Sequence, residues 1–244
     1  MKKAISRQNR GGRRQRPEHP KRYLAAALLT AMAVHLALLS GSCFVTFLQP
    51  AFLIRECEKS GVAAERGLDE NEMKSVIHLI YRYIYGREAR LEATVRINGV
   101  PTDFFTGRDQ VHMKDVRHLM QGLIILFCVT TAGSVFGICV LHRKGAERLL
   151  LREWLICLAV LIVLLAAVGI YAAADTWDFE YKFHALFFPN NNCWILNPAE
   201  DHMIWLFPDA MFMDAILLCG GVFAALEAAF GGLLAARRKT AGKA

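Results

Sequence analysis

Four apolar runs punctuate the chain, at about 24–48, 119–141, 153–174 and 210–235. Each holds roughly the 20 residues that a helix needs to cross a bilayer. A backbone in hydrocarbon finds no water, so each run must satisfy its own N–H and C=O groups as a helix. Between the runs the period changes. "GLDENEMKSVIHLIYRYIYG" puts Met73, Val76, Ile77 and Ile80 on one helical face, with Asp69 as N-cap and Glu72 completing a capping box. His78 then falls at a surface or packing position. "RLEATVRINGV" alternates Leu91, Ala93, Val95 and Ile97 with polar residues, and Asn98-Gly99 supplies a two-residue hairpin turn. "TGRD", Thr106 to Asp109, is a second capping box, so one helix is expected from about Gly107 straight into the second span. "FHALFF" reads as a short interfacial helix. Asn197-Pro198 reads as the start of another, with Glu200 reaching back. The expected fold is an all-α membrane protein: a four-transmembrane-helix bundle with a small extracytoplasmic α/β cap, an amphipathic helix plus a β-hairpin.

Charge orients this frame. Of 244 residues, 55% are hydrophobic and the formal net charge is +7. Residues 1–22 carry nine Lys/Arg against Glu18, the 142–153 loop carries four against Glu147 and Glu153, and the tail "ARRKTAGKA" carries four and no acid. Segment 49–118 is balanced, and 175–209 has six acids against Lys182. Positive charge is retained in the cytoplasm, so both termini and the 142–153 loop are expected inside. The expected organisation is a basic cytoplasmic segment 1–22, a membrane domain 23–236 with extracytoplasmic inserts 49–118 and 175–209, and a basic tail 237–244. The same distribution argues against a nucleic-acid partner: the N-terminal basics read as an inside-retaining cluster. The first run is too long for a signal peptide and lacks a small-x-small cleavage site. Trp177, Trp194 and Trp205 suit an interfacial aromatic belt. Most cysteines lie in or near the spans as small apolar residues, leaving Cys57 and Cys193 outside, where a disulfide is possible.

Within the spans, His35 and Glu227 are expensive to bury and read best as a polar clasp between helices. Gly220, Ala224, Ala228 and Gly232 form a small-residue row suited to close helix packing. The candidate chemistry gathers elsewhere. Topology puts His112, Asp115, His118, His184 and Asp201 on the outer face. Histidine both takes and gives a proton near neutrality, so two together suit a reaction that deprotonates one atom and protonates another. Asp115 suits the orientation of an imidazole. Asn190, Asn191, Asn192 and the Trp194 indole suit a developing oxyanion. Polar residues satisfying one another at the headgroup level would look similar. No GxSxG elbow, phosphate loop, HExxH or Cys/His zinc spacing occurs, so no cofactor or metal is expected. A downhill transfer whose nucleophile belongs to the substrate is the economical remainder.

Three motifs, "VHMKDVRHLM" (111–120), "FHALFFPNNNCW" (183–194) and "DHMIWLFPDAMF" (201–212), in a four-span frame with an extracytoplasmic cap, resemble the bacterial lipoprotein intramolecular transacylase family. The resemblance runs from about residue 22 over most of the chain. It implies a bacterial cell-membrane enzyme whose partners are a diacylglyceryl-modified lipoprotein N-terminus and membrane lipid. It implies movement of the sn-2 acyl chain from glycerol to the cysteine α-amino group, giving lyso-form lipoprotein. It also implies that His112 and His184 are the essential histidines. Ester to amide is downhill, so no energy donor is needed. The amine, of pKa about 7.7–8.0, needs a base, and the glycerol alkoxide needs an acid. His184 is the expected base and His112 the aid to oxyanion or leaving group, oriented by Asp115, with exchange of roles open. Asp115, Asn190, Asn192, Trp194 and Asp201 are the expected supporting residues. A metal-dependent membrane hydrolase using the same histidines with Asp201, or a non-catalytic scaffold, are the alternatives.

Overall fold

The structure, a computed structural model, describes residues 20–241; expectations for residues 1–19 and 242–244, most of the basic N-terminal segment and the end of the tail, lie outside it. A single 3₁₀ turn leads into α1 (Leu24–Phe47). Two helices follow that the periodicity did not reveal, α2 (Pro50–Ser60) and α3 (Val62–Arg66). Their punctuation was nevertheless written in the sequence: Pro50 opens α2, and Gly61 and Gly67 close α2 and α3 at φ 70° and 66°. Those angles belong to the left-handed region that glycine enters without a Cβ penalty.

Next come α4 (Glu70–Ile84) and the hairpin β1 (Thr94–Ile97) and β2 (Val100–Asp103), antiparallel as expected. Asn98 and Gly99 both have positive φ, 52° and 81°, as the hairpin turn requires. Asp69 caps α4 by accepting from the Asn71 and Glu72 amides. Glu72 does not close the expected capping box. Its carboxylate accepts instead from the Arg96 amide of β1 at 2.8 Å, tying helix to hairpin.

The chain then runs through α5 (Gly107–Arg143), α6 (Glu147–Ala174), α7 (Thr176–Phe187), a 3₁₀ turn His202–Leu206 and α8 (Asp209–Ala241). Helices α1, α5, α6 and α8 are each long and apolar enough to cross a membrane. Helix α1 is the axis of the bundle: 44% of its most apolar stretch is buried, against 11%, 6% and 11% for α5, α6 and α8. Its neighbours present their remaining apolar side chains outward, as Ile162, Val163 and Ile170 do on α6. Contact is closest where a Cβ on Gly137 of α5 would fall 2.1 Å from Thr30 Oγ1 of α1. At the cap end one core joins α2, α4, the hairpin, the start of α5 and the start of α8, through Leu48, Met73, Ile77, Phe104, Met113 and Leu206.

The clasp between spans is present. His35 Nδ1 lies 2.6 Å from Glu227 Oε1, the Trp154 indole donates to Glu227 Oε2 at 2.9 Å, and His35 Nε2 donates to the Trp154 carbonyl at 3.1 Å. It joins α1, α6 and α8 and leaves no carboxylate oxygen bare, which is what an ionisable group in hydrocarbon needs. The clasp also overturns the small-residue row. Gly220, Ala224, Ala228 and Gly232 are all exposed. Glu227 must face the protein, and its successor Ala228 lies about 100° further round the helix. The Cys57–Cys193 disulfide is likewise absent. All seven cysteines are free, and the buried Cys57 thiol bonds the Leu206 carbonyl at 3.3 Å.

The packing face of α8 gives a direct check. A Cβ on Gly231 would meet Trp154 Cη2 at 2.6 Å, whereas Gly232 faces open space. Gly231→Ala is expected to displace Trp154, loosen its bond to Glu227 and destabilise the protein by ~1–3 kcal/mol. Gly232→Ala is expected to be neutral or to gain up to ~1 kcal/mol of helix propensity. Thermal unfolding of both variants in the same lipid or detergent distinguishes the two faces.

Candidate active site

The site begins at the N-terminus of α5. Thr106 Oγ1 accepts from the Asp109 amide at 3.2 Å and Asp109 Oδ2 accepts from the Thr106 amide at 2.8 Å, the expected reciprocal cap. With 37 residues, α5 is about 55 Å long, while hydrocarbon is about 30 Å thick. Taking 119–141 as the crossing stretch leaves the first three turns of α5 outside it. Those turns carry His112 and Asp115.

Helix α7 supplies the second histidine. Asp175 caps it by accepting from the Asp178 amide at 2.9 Å. The helix begins at Thr176, seven residues before the short segment the sequence suggested. One turn back from His184, the Glu180 carbonyl lies 2.8 Å from His184 Nδ1. A carbonyl oxygen only accepts, so Nδ1 carries the proton and the lone pair of the neutral ring sits on Nε2.

The two imidazoles meet at the top of the bundle, with ring centroids 6.0 Å apart and planes inclined by 39°. Phe188 packs against both, edge-on to His112 at 5.1 Å and 5.7 Å from His184. Trp194 stacks on His184 at 4.9 Å with planes within 22°, and Tyr181 packs against that indole at 5.3 Å. His112 is buried, 8% exposed, and its Nδ1 has no hydrogen-bond partner among the described residues. Burial and the neighbouring His184 disfavour its charged form, Asp115 opposes them, and the balance holds His112 down at about 4. The pair is therefore asymmetric: one ring is held neutral, and the other offers a lone pair beside it.

The supporting residues are redistributed. Asp115 does not hydrogen-bond His112 in the way expected; its Oδ2 accepts from Asn191 Nδ2 at 2.9 Å. Asn191 Oδ1 in turn accepts from the Cys193 amide at 2.9 Å, so the central asparagine of the three shapes the loop. Asn190 and Asn192 are exposed, as is His118. Asp201 is buried and ties structure together, accepting from the Thr106 hydroxyl at 3.0 Å and the Asn197 amide at 2.8 Å. That second bond replaces the helix expected after Asn197: residues 198–200 form a turn, and Asp201 rather than Glu200 reaches back. Arg108 adds a third tie, donating to the Ile195 carbonyl at 2.8 Å. Phe188, Arg108 and the Glu180 carbonyl were not anticipated, although the four-residue helical step from His184 points to Glu180. Among the described residues no three His, Cys, Asp or Glu side chains converge to hold a metal.

The sequence profile of the lipoprotein intramolecular transacylase Lit matches residues 28–212. The solved structure of the membrane integral lipoprotein intramolecular transacylase Lit from Bacillus cereus is 17% identical, covers 88% of this chain and 97% of its own, and superposes with a TM-score of 0.70. Two structures of that protein with a substituted histidine give TM-scores of 0.69 and 0.68 at 16% identity, covering 88% of this chain and 94% and 93% of their own. No curated protein matches in sequence.

The asymmetry of the pair is measurable. Protonating His112 is harder in the folded chain than in the unfolded one, so its contribution to stability is intact above the ordinary 6.5 and is lost as pH falls towards about 4. A pH titration of ring-¹⁵N-histidine protein is expected to show one midpoint near 4 that disappears in His112→Gln. A full set of midpoints near 6.5 would contradict the buried, neutral assignment.

Proposed function

The chain belongs to the lipoprotein intramolecular transacylase family, and from that premise we propose that it moves the sn-2 acyl chain of a diacylglyceryl-cysteine lipoprotein to the cysteine α-amino group. It is an acyltransferase and a multi-pass membrane protein. The observation that carries the finer reading is the unequal pair of histidines: His184 has its Nδ1–H bonded to Glu180, while His112 is neutral and buried at its side.

In this reading the α-amine attacks the sn-2 ester carbonyl, and His184 Nε2 takes a proton from the nitrogen. The carbonyl oxygen becomes an oxyanion, which the neutral His112 ring serves as an N–H donor. A histidine held at about 4 is a weak base at neutral pH, so the donor role falls to it rather than to His184. The C–O bond to glycerol then breaks, and the imidazolium returns its proton to the departing alkoxide. One N–C bond is made, one O–C bond is lost, and His184 ends neutral. The products are an N-acyl cysteine and a lyso-glyceryl thioether on the same peptide. Holding amine and ester together in one substrate supplies much of the acceleration by proximity.

The position of the pair supports a location at the membrane surface. The rings project from α5 above its crossing stretch and from α7, whose neighbours Trp177, Tyr181 and Leu186 are exposed. Aromatic and apolar side chains of that kind suit the headgroup region, where the glycerol esters of an anchored lipoprotein lie. With positive charge inside, we assign both termini to the cytoplasm and the site to the extracytoplasmic face, in a bacterial cell membrane.

His184→Ala is expected to lower the initial rate of amine loss from a diacylglyceryl-cysteinyl peptide by ~10²–10⁴-fold. His112→Ala is expected to cost ~10²–10³-fold. Amine-reactive labelling of time points, with both variants shown to be folded in the same lipid, checks this. Free fatty acid with an unmodified amine would reveal a hydrolase, and wild-type rates in both variants a scaffold.

A further inference from the structure

A base that becomes cationic during a reaction needs something to stabilise its charge. In hydrolytic triads that partner is a carboxylate on the second ring nitrogen. Here the second nitrogen of His184 meets a neutral backbone carbonyl, at 2.8 Å. Across the site the Asp115 carboxylate is engaged by Asn191. The other charged or titratable groups about the ring are His112 from α5, Glu180, Tyr181 and Lys182 from α7 itself, and Cys193 beside the stacked indole. His112 is neutral and Lys182 is paired with Asp178. What does cover the imidazole is the face of Trp194, at 4.9 Å and 22°.

We propose that Trp194 is a positioning residue for the reaction: its π face stabilises the imidazolium that His184 becomes on taking the amine proton, and it holds the ring with Nε2 turned to the substrate. The inference rests on the transacylase reading above. An aromatic face attracts a cation through its quadrupole, and more strongly where water is displaced. Trp194 is half-buried and is placed without help from the histidine. Asn191 fixes the loop before it through Asp115 and the Cys193 amide, and Arg108 fixes the loop after it through the Ile195 carbonyl. Tyr181 packs against the indole at 5.3 Å, inclined by 69°. The indole therefore presents a preset surface, and the role differs from the oxyanion donor that the sequence suggested.

The test uses the full-length protein in lipid, with Trp194→Leu and Trp194→Phe, a diacylglyceryl-cysteinyl peptide as substrate, and two readouts. In kinetics, Trp194→Leu is expected to lower kcat about tenfold with KM little changed, and Trp194→Phe to stay within about threefold of wild type. In spectroscopy, an imidazolium stacked on an indole quenches its emission. Wild type is expected to show a pH-dependent quench of which one component is lost both in His184→Gln and in Trp194→Phe. Trp205, which packs on His202 at 4.5 Å, and Trp154, which stacks on His35 at 6.1 Å, contribute a background that these two variants leave in place. Equal kcat in wild type and Trp194→Leu, or a quench undiminished in His184→Gln, would overturn the proposal. If the leucine variant fails to fold, the phenylalanine variant and the quench decide the matter. A wild-type protein that transfers no acyl group would remove the transacylase reading and this role with it, whereas transfer in wild type matched by Trp194→Leu removes the role alone.

Discussion

Hydrocarbon offers the backbone no hydrogen-bond partner, and α5 is where that constraint reaches the site. A helix that crosses the membrane cannot be broken there, so whatever fixes its first turn fixes its whole length. Its first turn is fixed in the cap. Thr106 and Asp109 close the N-terminus on each other, and the Thr106 hydroxyl also reaches Asp201. One residue beyond His112, Met113 is 2% exposed in the core that unites cap and bundle. His112 thus stands on a rod clamped at the cap and held along α1 below. The 189–201 loop is registered to the same rod through Asp115–Asn191, Arg108–Ile195 and Thr106–Asp201. Phe188, at the exit of α7, touches both imidazoles.

The energetics of the bundle and of the site differ in kind. Spans gain little from apolar contact, since lipid is as apolar as leucine, so shape and satisfied polar groups decide their arrangement. The His35–Glu227–Trp154 clasp does this for α1, α6 and α8, and Gly137 does it for α1 and α5. At the site, two histidines stand in different surroundings. Burial keeps His112 neutral, and the bond to Glu180 directs the lone pair of His184 outward. The proposed acyl transfer draws on that difference: one ring moves the proton and the other steadies the oxyanion.

Much of this was legible in the sequence, and the failures have physical causes. The spans, the Thr106–Asp109 cap and the Asn98-Gly99 hairpin follow from local rules, and each formed as read. Helices α2 and α3 escaped because they are short: α2 opens on the apolar "AFLI" that trails the first run, and α3 has five residues. Glu72 and Asp115 were each read through a nearby residue and proved to be claimed by a distant one, Arg96 and Asn191, while Asp201, read with the histidines, is held by Thr106 and Asn197. A short acceptor side chain meets several donors in a folded protein, and local spacing cannot rank the non-local ones. The row at Gly220 failed for a similar reason. Small residues permit close approach, but the buried charge of Glu227 chose the face. Of the loop residues, Trp194 was singled out for its N–H, whereas the fold uses its ring.

The proposed reaction carries one particular acyl chain from oxygen to nitrogen within one molecule. A synthetic lipopeptide with a deuterated sn-2 chain and an unlabelled sn-1 chain, incubated with the purified protein and fragmented by tandem mass spectrometry, tests it. An unchanged parent mass is expected, with an N-terminal fragment in which the deuterated chain is amide-linked to cysteine. Deuterium retained on glycerol, released as free fatty acid, or found on a second unlabelled peptide in the same tube would contradict it.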